Sequence, residues 1–575
     1  MTLEHVLLLG LILVPLLAGI ACACLGAARR DAIRWLAVGA SLLTLVMSLV
    51  LAARFMELPR EDVKTGIVGK RAAFQTFQPE FVPGAPAIYK SRGVAELDRT
   101  DPHGTTWDLI PLGKGAIQFY IGIDGLNIWL IVLTAVLMLP TVLISWNAIS
   151  ERANEFYAWL LALKAAMIGI FLSFDIVLFY VFFELSLVPL FFLIGIWGGS
   201  ERRYAARKFF IYTLVGSLIT LLGVLAIVFL NYRETGVLTF SIPRLVDSIQ
   251  AAVATPNSIW TTELQTWVFL ALMLGFMIKV PLMPFHTWLP LAHVEAPTAG
   301  SVDLAGVLLK VGSYGFLRLC IPLVPDAAVT VGVPLITFIA ALGIVYGALC
   351  AFAQDDMKRM IAYSSVSHLG LCMLGMFALN SAGIGGSLLQ MINHGLSTGM
   401  LFLMIGMLYD RYHTRKIADY SGMSARLPLI GAFFVFTVLT SVGLPGLNGF
   451  VGEALCLFGV FKWELDAGGQ HAGFPILALM GCAGIILGAW YLFTLTRAIL
   501  FGPVKEPHHD EHEPTRDLTG REVAIIVPLA VLCLILGVYP QPVLETATPD
   551  INRVVDIAER ARERGEATTT AGLAP

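Results

Sequence analysis

Uninterrupted apolar runs about as long as a bilayer is thick recur from one end of this chain to the other. Each is about 18–25 residues, the length an α-helix needs to cross roughly 30 Å of hydrocarbon. None shows the every-second-residue alternation of a membrane barrel strand. Only 14% of the 575 residues are charged, where soluble domains carry about a quarter. The pattern predicts an all-α polytopic membrane protein, and the net charge of −3 carries no nucleic-acid signature.

Reading the runs between turn signals places spans near 3–25, 32–55, 121–145, 156–173, 175–197, 208–230, 266–292, 298–320, 329–351, 357–378, 385–409, 428–461, 475–500 and 522–539, about fourteen in all. The first run, VLLLGLILVPLLAGIACACL, lacks a basic leader and reads as a retained span rather than a signal peptide. The basic loops AARRD, SERRYAARK, QDDMKR and YDRYHTRK all fall on one face. By the positive-inside rule that face is cytoplasmic, and both termini lie on the opposite, periplasmic side of a bacterial inner membrane. The 56–118 segment, with FQTFQPEFVPGAPAIYK, reads as a long, extended, Pro-rich outer loop. Near the end, PDINRVVDIAERARERGE is amphipathic and predicts a helix on the outer surface or against a neighbour, followed by a frayed Thr/Ala/Gly end.

The eight cysteines show no disulfide or iron–sulfur spacing; Cys22 and Cys24 would point to different sides of one helix. One loop, HHDEHE at 508–513, puts His508 and His512 four apart, as a metal pair on a helix would be. Between Pro507 and Pro514 it reads equally as a solvated acidic loop.

Ionisable side chains inside the spans are expensive, at least about 2.5–3.5 kcal/mol each at mid-membrane, so each raises a functional question. Asp175 sits where two spans meet and reads as an N-cap. Lys208 and Arg318 lie near span ends and can snorkel to headgroups. Glu184, in VFFELSLVPLF, is deeper, with Pro189 loosening its helix, and Lys279 is a lysine that could sit beside it. Lys310 lies seven residues after Asp303, a spacing that puts both on one face of a regular helix. His368 has a collar of Ser364, Ser365 and Ser367 whose hydroxyls could relay hydrogen bonds, and His394 has similar neighbours. Lys164, His286 and Glu453 complete the set. A salt bridge that ties helices, or a histidine satisfied in the core, is the plain alternative at each position.

In FMIKVPLMPFHTWLP, Pro281 and Pro284 must break the seventh span just after Lys279. In VGLPGLNGFVGE, Pro445 and its glycines break the twelfth just before Glu453. Paired interruptions five spans apart predict two inverted five-helix repeats, helices 4–8 and 9–13, around an ion site at mid-depth. Glu184 then corresponds to His368, and Lys279 to Glu453. The chain divides into 1–118, 119–155, 156–320 (first repeat), 321–501 (second repeat) and 502–575.

The stretches FYVFFELSLVPLFFLIGIWGG, KVPLMPFHTWLPLAHVEAPTAGSVDLAGVLLKVGSYG, AYSSVSHLG and GLPGLNGFVGE resemble the antiporter-like subunits of respiratory complex I, from about 119 to 500. Glu453, where other types carry lysine, is similar to the M type. The resemblance implies proton translocation driven by quinone reduction elsewhere in an NADH:quinone oxidoreductase. It implies that Glu184 pairs with Lys279, that Lys310 is the central relay, that His368 and His394 continue a hydrated axis, and that Glu453 ends it. His286, Asp303 and Lys164 stand as secondary positions. No cofactor is implied in this chain; NADH, FMN, iron–sulfur clusters and quinone belong to partner subunits. The implied partners are the other membrane subunits, including neighbouring antiporter-like ones. The long 56–118 loop and Lys164 depart from the family pattern. Other readings are a stand-alone Mrp-type cation/proton antiporter, the membrane subunit of a hydrogenase or ferredoxin-linked quinone reductase, and a structural anchor.

Overall fold

The computed structural model describes residues 3–26, 28–57, 106–113, 115–466, 475–507 and 515–572. Two helices, α1 (Leu3–Cys24) and α2 (Arg30–Glu57), lead into a hairpin of β1 (Thr106–Leu112) and β2 (Gly115–Tyr120). Next come α3 (Ile128–Ala148), α4 (Ala153–Leu172), α5 (Ile176–Leu185), α6 (Leu187–Trp197), α7 (Arg202–Thr235) and the short outer helix α8 (Ile242–Val253). The centre holds α9 (Thr262–Lys279), α10 (Leu289–Glu295), α11 (Thr298–Asp303), a π-helical turn (Leu304–Leu308), α12 (Leu309–Gly315), a second π turn (Phe316–Cys320) and α13 (Ile321–Leu323). After α14 (Pro325–Ala327) and a third π turn come α15 (Val333–Phe352), α16 (Met357–Phe377), α17 (Ser381–Tyr412), α18 (Met423–Arg426), α19 (Pro428–Val442) and α20 (Asn448–Asp466). The chain ends with α21 (Ile476–Leu500), α22 (Gly520–Val538) and α23 (Gln541–Gly572).

Among the described residues twelve helical stretches are long and apolar enough to cross a membrane. The two expected crossings missing from that set, near 266–292 and 428–461, are the two broken in mid-span. The first is divided between α9 and α10, the second between α19 and α20. Pro281 and Pro284 supply no N–H, so the last carbonyls of α9 need other donors. Val280 N–H takes Phe276 O, Leu282 N–H takes Met277 O, and the Trp288 indole N–H takes Ile278 O at 2.9 Å. Protein donors thus meet these three carbonyls, the kind of compensation a break at membrane depth requires. At the second break Gly443 and Gly446 adopt φ of +77° and +92°, a conformation open to glycine at no steric cost. Pro189 acts more mildly: its ring displaces the carbonyl four residues back, and the helix divides at Ser186, between α5 and α6.

The crossings Thr298–Leu323 and Ser381–Tyr412 bury 100% of their apolar stretch, whereas Ile476–Leu500 buries 33%. The interior of the bundle is therefore built on α11–α13 and α17. Gly312 sets the closeness of α12 to α9: a Cβ there would lie 2.8 Å from Val280 N and 2.9 Å from Phe276 O.

Four expectations need correction. The stretch 106–120, expected within an extended loop, is an antiparallel hairpin with a bulge between Asp108 and Ile110. It is tied to the bundle by Gln118 N–H donating to Asp175 Oδ2 at 2.9 Å. Asp175 is the N-cap expected, its other oxygen accepting from Val177 and Leu178 N–H. Second, α23 packs on its own chain, burying Val543, Ala547, Ile551, Val554, Ala558 and Ala561 at helical spacing, with Arg564 on Asp326 at 2.6 Å. Third, helix continues to Gly572, beyond the expected fray. Fourth, Arg318 does not snorkel. It is fully buried, 2.6 Å from Asp124 Oδ2, donating to the Tyr314 hydroxyl at 3.0 Å, with its guanidinium 4.9 Å from the Phe174 ring centre. Asp124 also caps the approach to α3 by accepting from Leu126 and Asn127 N–H. Most of the 56–118 loop lies outside the described residues.

Removing one member of a buried pair strands the other charge, at about 3–5 kcal/mol, while replacing both is near neutral. Arg318→Met should therefore lower the chain's thermal stability by about that amount, and the added Asp124→Leu should restore much of it; thermal unfolding of the detergent-solubilised protein measures both.

Candidate functional site

Lys310 stands at the first turn of α12 and is wholly buried. Its ammonium donates to the Ala305 carbonyl inside the preceding π turn. Its Nζ also lies 2.7 Å from Nδ1 of His394, on α17. At that distance the two nitrogens share one proton: either the ammonium donates to a neutral imidazole, or the imidazole donates to a neutral amine. The far nitrogen of His394, Nε2, is buried with no protein partner. Its ring centre is 5.9 Å from that of His368, on α16. His368 Nδ1 is 3.2 Å from Glu453 Oε1, which also accepts from Gln390 Nε2 at 3.3 Å. Glu453 rises from the first turns of α20, and Gly443 leaves it room: a Cβ there would lie 2.5 Å from Glu453 Oε2. Asn393 and Asn448 exchange side-chain-to-backbone bonds of 2.5 and 3.3 Å and hold α17 to the start of α20. Lys310, His394, His368 and Glu453 thus line up as a polar run through the interior, joined at its two ends and open between the two histidines.

Lys279 ends α9 and is 1% exposed. Its Nζ sits over the Phe183 ring, 4.7 Å from the centre, beside half-buried Glu184. The two charges do not touch: Lys279 Nζ and Glu184 Oε1 both lack a hydrogen-bond partner. Buried polar atoms of this kind need a water or a moving neighbour.

The serines around His368 are committed elsewhere. Ser364 and Ser365 donate to Ile361 O, and Ser367 to Ile344 O, so they present acceptors rather than free protons. His286 lies apart from the run, its ring against Tyr346 and Tyr363 at 5.2 and 6.1 Å. The single helical face expected for Asp303 and Lys310 does not form, because a π turn separates them and carries fewer degrees per residue. Asp303 turns instead to Lys164 on α4, and the two form an ion pair with neither side chain exposed.

His293 and Lys358 are among the buried groups that went unforeseen. His293, on α10, is fully buried and stacks on Phe402 with ring centres 4.6 Å apart. Neither of its ring nitrogens has a protein partner. Lys358, at the start of α16, is 4% exposed and donates to Ala296 O at 2.9 Å. Its place in the charged string QDDMKR gave no sign of burial; the AHVEAP stretch beside the first break was the available signal for His293. Among the described residues no group of three His, Cys, Asp or Glu is placed to hold a metal, and the HHDEHE loop lies outside them.

The family model for NADH:quinone oxidoreductase/Mrp antiporter membrane proteins matches residues 173–499. The chain is 42% identical over 442 residues to NADH-quinone oxidoreductase subunit M of Rhodobacter capsulatus, covering 76% of this chain and 82% of that protein. It is 36% identical over 554 residues to subunit M of Pseudomonas aeruginosa, covering 95% and 96%. The structure of respiratory complex I from Thermus thermophilus contains a chain that superposes with a TM-score of 0.74 at 28% identity, covering 96% of this chain and 99% of that one. A chain of the Mrp complex from Dietzia superposes equally well, with a TM-score of 0.74, at 20% identity, and is a likeness of fold. Broken helices, buried charges and kinship over nearly the whole length place the chain in the NADH:quinone oxidoreductase/Mrp antiporter family, in its subunit M branch.

Proposed function

We propose that this chain moves protons across a bacterial inner membrane as the antiporter-like M subunit of an NADH:quinone oxidoreductase. The observation that carries this reading is the run Lys310–His394–His368–Glu453, closed at 2.7 Å and 3.2 Å at its two ends. A proton on Lys310 passes to His394 Nδ1; loss of the Nε2 proton toward His368 returns the imidazole to neutral in its other tautomer, and a ring flip or tautomer exchange must free Nδ1 before the next proton. His368 Nδ1 hands on to Glu453 beside the second helix break. The family kinship supports partners among the other membrane subunits, with NADH, FMN, iron–sulfur clusters and quinone held outside this chain. The loop charges support termini on the periplasmic side.

Glu184 and Lys279 are the switch. Apart, as here, the two form no ion pair; together they neutralise each other and change the field felt by Lys310. A coupling of about 1–3 kcal/mol is enough to favour loading or release, and two charges a few ångström apart supply it. If 156–320 and 321–501 are inverted repeats, the same device occurs twice with its chemistry reversed. The first half has acid on the fifth span and base on the seventh; the second has base (His368) on the tenth and acid (Glu453) on the twelfth. His286 stays outside the path as drawn.

Lys310→Met should leave the complex assembled and reduce NADH-driven proton pumping by at least about tenfold, the effect of roughly 1.4 kcal/mol or more on the limiting step. Quenching of a pH-sensitive dye in everted membrane vesicles reads this directly, and normal pumping would refute the path. Glu184→Ala and Lys279→Ala should each depress pumping and coupled quinone reduction while assembly persists. If both pump normally, the switch is wrong even if the run is right.

A further inference from the structure

The ion pair of Lys164 and Asp303 has no part in the path just described, yet it is fully enclosed. Both side chains have zero exposure. Burial of two charges adds little net stability over apolar residues of similar volume, so helix-tying explains it weakly. Three features connect it to Lys310. Asp303 is the last residue of α11 and leads directly into the π turn 304–308. The Ala305 carbonyl in that turn holds the Lys310 ammonium. And one Asp303 oxygen, Oδ2, is buried without a hydrogen-bond partner, so half of the carboxylate is uncommitted.

We propose that Lys164 and Asp303 are positioning residues for the proton step at Lys310. The pair masks the Asp303 charge when closed and exposes it to Lys310 when open. The inference rests on the reading of Lys310 as the relay. With the pair closed, the two opposite charges largely cancel at Lys310, and the ammonium gives up its proton to His394. With the pair open, the bare carboxylate on the same helix holds the proton on Lys310. The π turn makes the two states mechanically distinct, because α12 turns about a joint with an extra residue in it rather than about a rigid α-helix. No bond forms or breaks in the pair itself; only its separation changes. The groups that face Lys310 are His394 on α17, His293 on α10 and the Cys372 thiol on α16, while Asp303 reaches it only through the π turn that joins them. Lys164 and Asp303 face each other.

The pH profile of coupled quinone reduction in intact complex tests this, since a structural pair would not move it. Asp303→Asn leaves the Lys164 charge bare and should shift the alkaline limb to lower pH. Lys164→Gln leaves the Asp303 charge bare and should shift it to higher pH. Lys164→Arg keeps the charge and should bring the profile back toward that of the parent. Shifts in the same direction, or none in complex assembled to normal amounts, overturn the proposal. If either single variant fails to assemble, Lys164→Gln with Asp303→Asn keeps a neutral hydrogen bond at the site. That double variant should assemble but pump fewer protons per electron; an unchanged ratio overturns the proposal. Lys310→Met, measured alongside, separates the failures: if it pumps normally the relay reading falls, and if it does not, only the role of the pair is at stake.

Discussion

Everything in this molecule follows from the penalty on leaving a charge or a backbone dipole unsatisfied where water is scarce. The penalty dictates helices, because only they satisfy the backbone within one segment. It dictates how the helices may be broken: the Met277 carbonyl freed by Pro281 is taken by Leu282 N–H, and the Ile278 carbonyl by the Trp288 indole. And it sorts the buried charges into two kinds. Arg318 and Asp124 form a closed ion pair at 2.6 Å, bonded further to Tyr314 and to backbone at the head of α3. Lys279 and Glu184 form no such closed pair, and His394 keeps a buried ring nitrogen without a partner. The first kind ties helices together; the second leaves room for a water or a moving neighbour.

That division also explains the placement of small residues. Gly312 and Gly315 bring α12 onto α9 so tightly that a Cβ would press on Val280 or the Phe276 ring. Close backbone contact between the helix bearing Lys279 and the helix bearing Lys310 leaves little slack between the two sites. A displacement of the Lys279 helix would therefore press directly on the helix that carries Lys310.

Much of this was legible in the chain, and the reason is the same penalty. A lysine, glutamate or histidine inside an apolar run stands out, so Lys310, His394, His368 and Glu453 could be named before their contacts were known. Proline and glycine marked both breaks. What could not be read was partnership across long separations. Arg318 lies near a span end, where an arginine can reach headgroups, and only Asp124, 194 positions away, shows that it turns inward. Lys164 lacked a counterpart until Asp303 was placed 139 positions later. The π turns have no sequence period of their own, so the angle between Asp303 and Lys310 was misjudged. Lys358 and His293 were hidden by settings that read as loop, and the hairpin at 106–120 by the Pro-rich stretch before it.

The bond from Lys310 to Ala305 has a consequence of its own. An ammonium can give one N–H to that carbonyl while offering another to His394. A neutral amine has fewer to give, and one that accepts from His394 has turned its lone pair that way. On the proposed path, each departure of a proton would loosen the hold on a peptide oxygen inside the π turn, and each arrival would tighten it. Occupancy of a single nitrogen is written into the winding of the helix that carries it, so chemistry and shape change together, without a separate transducer.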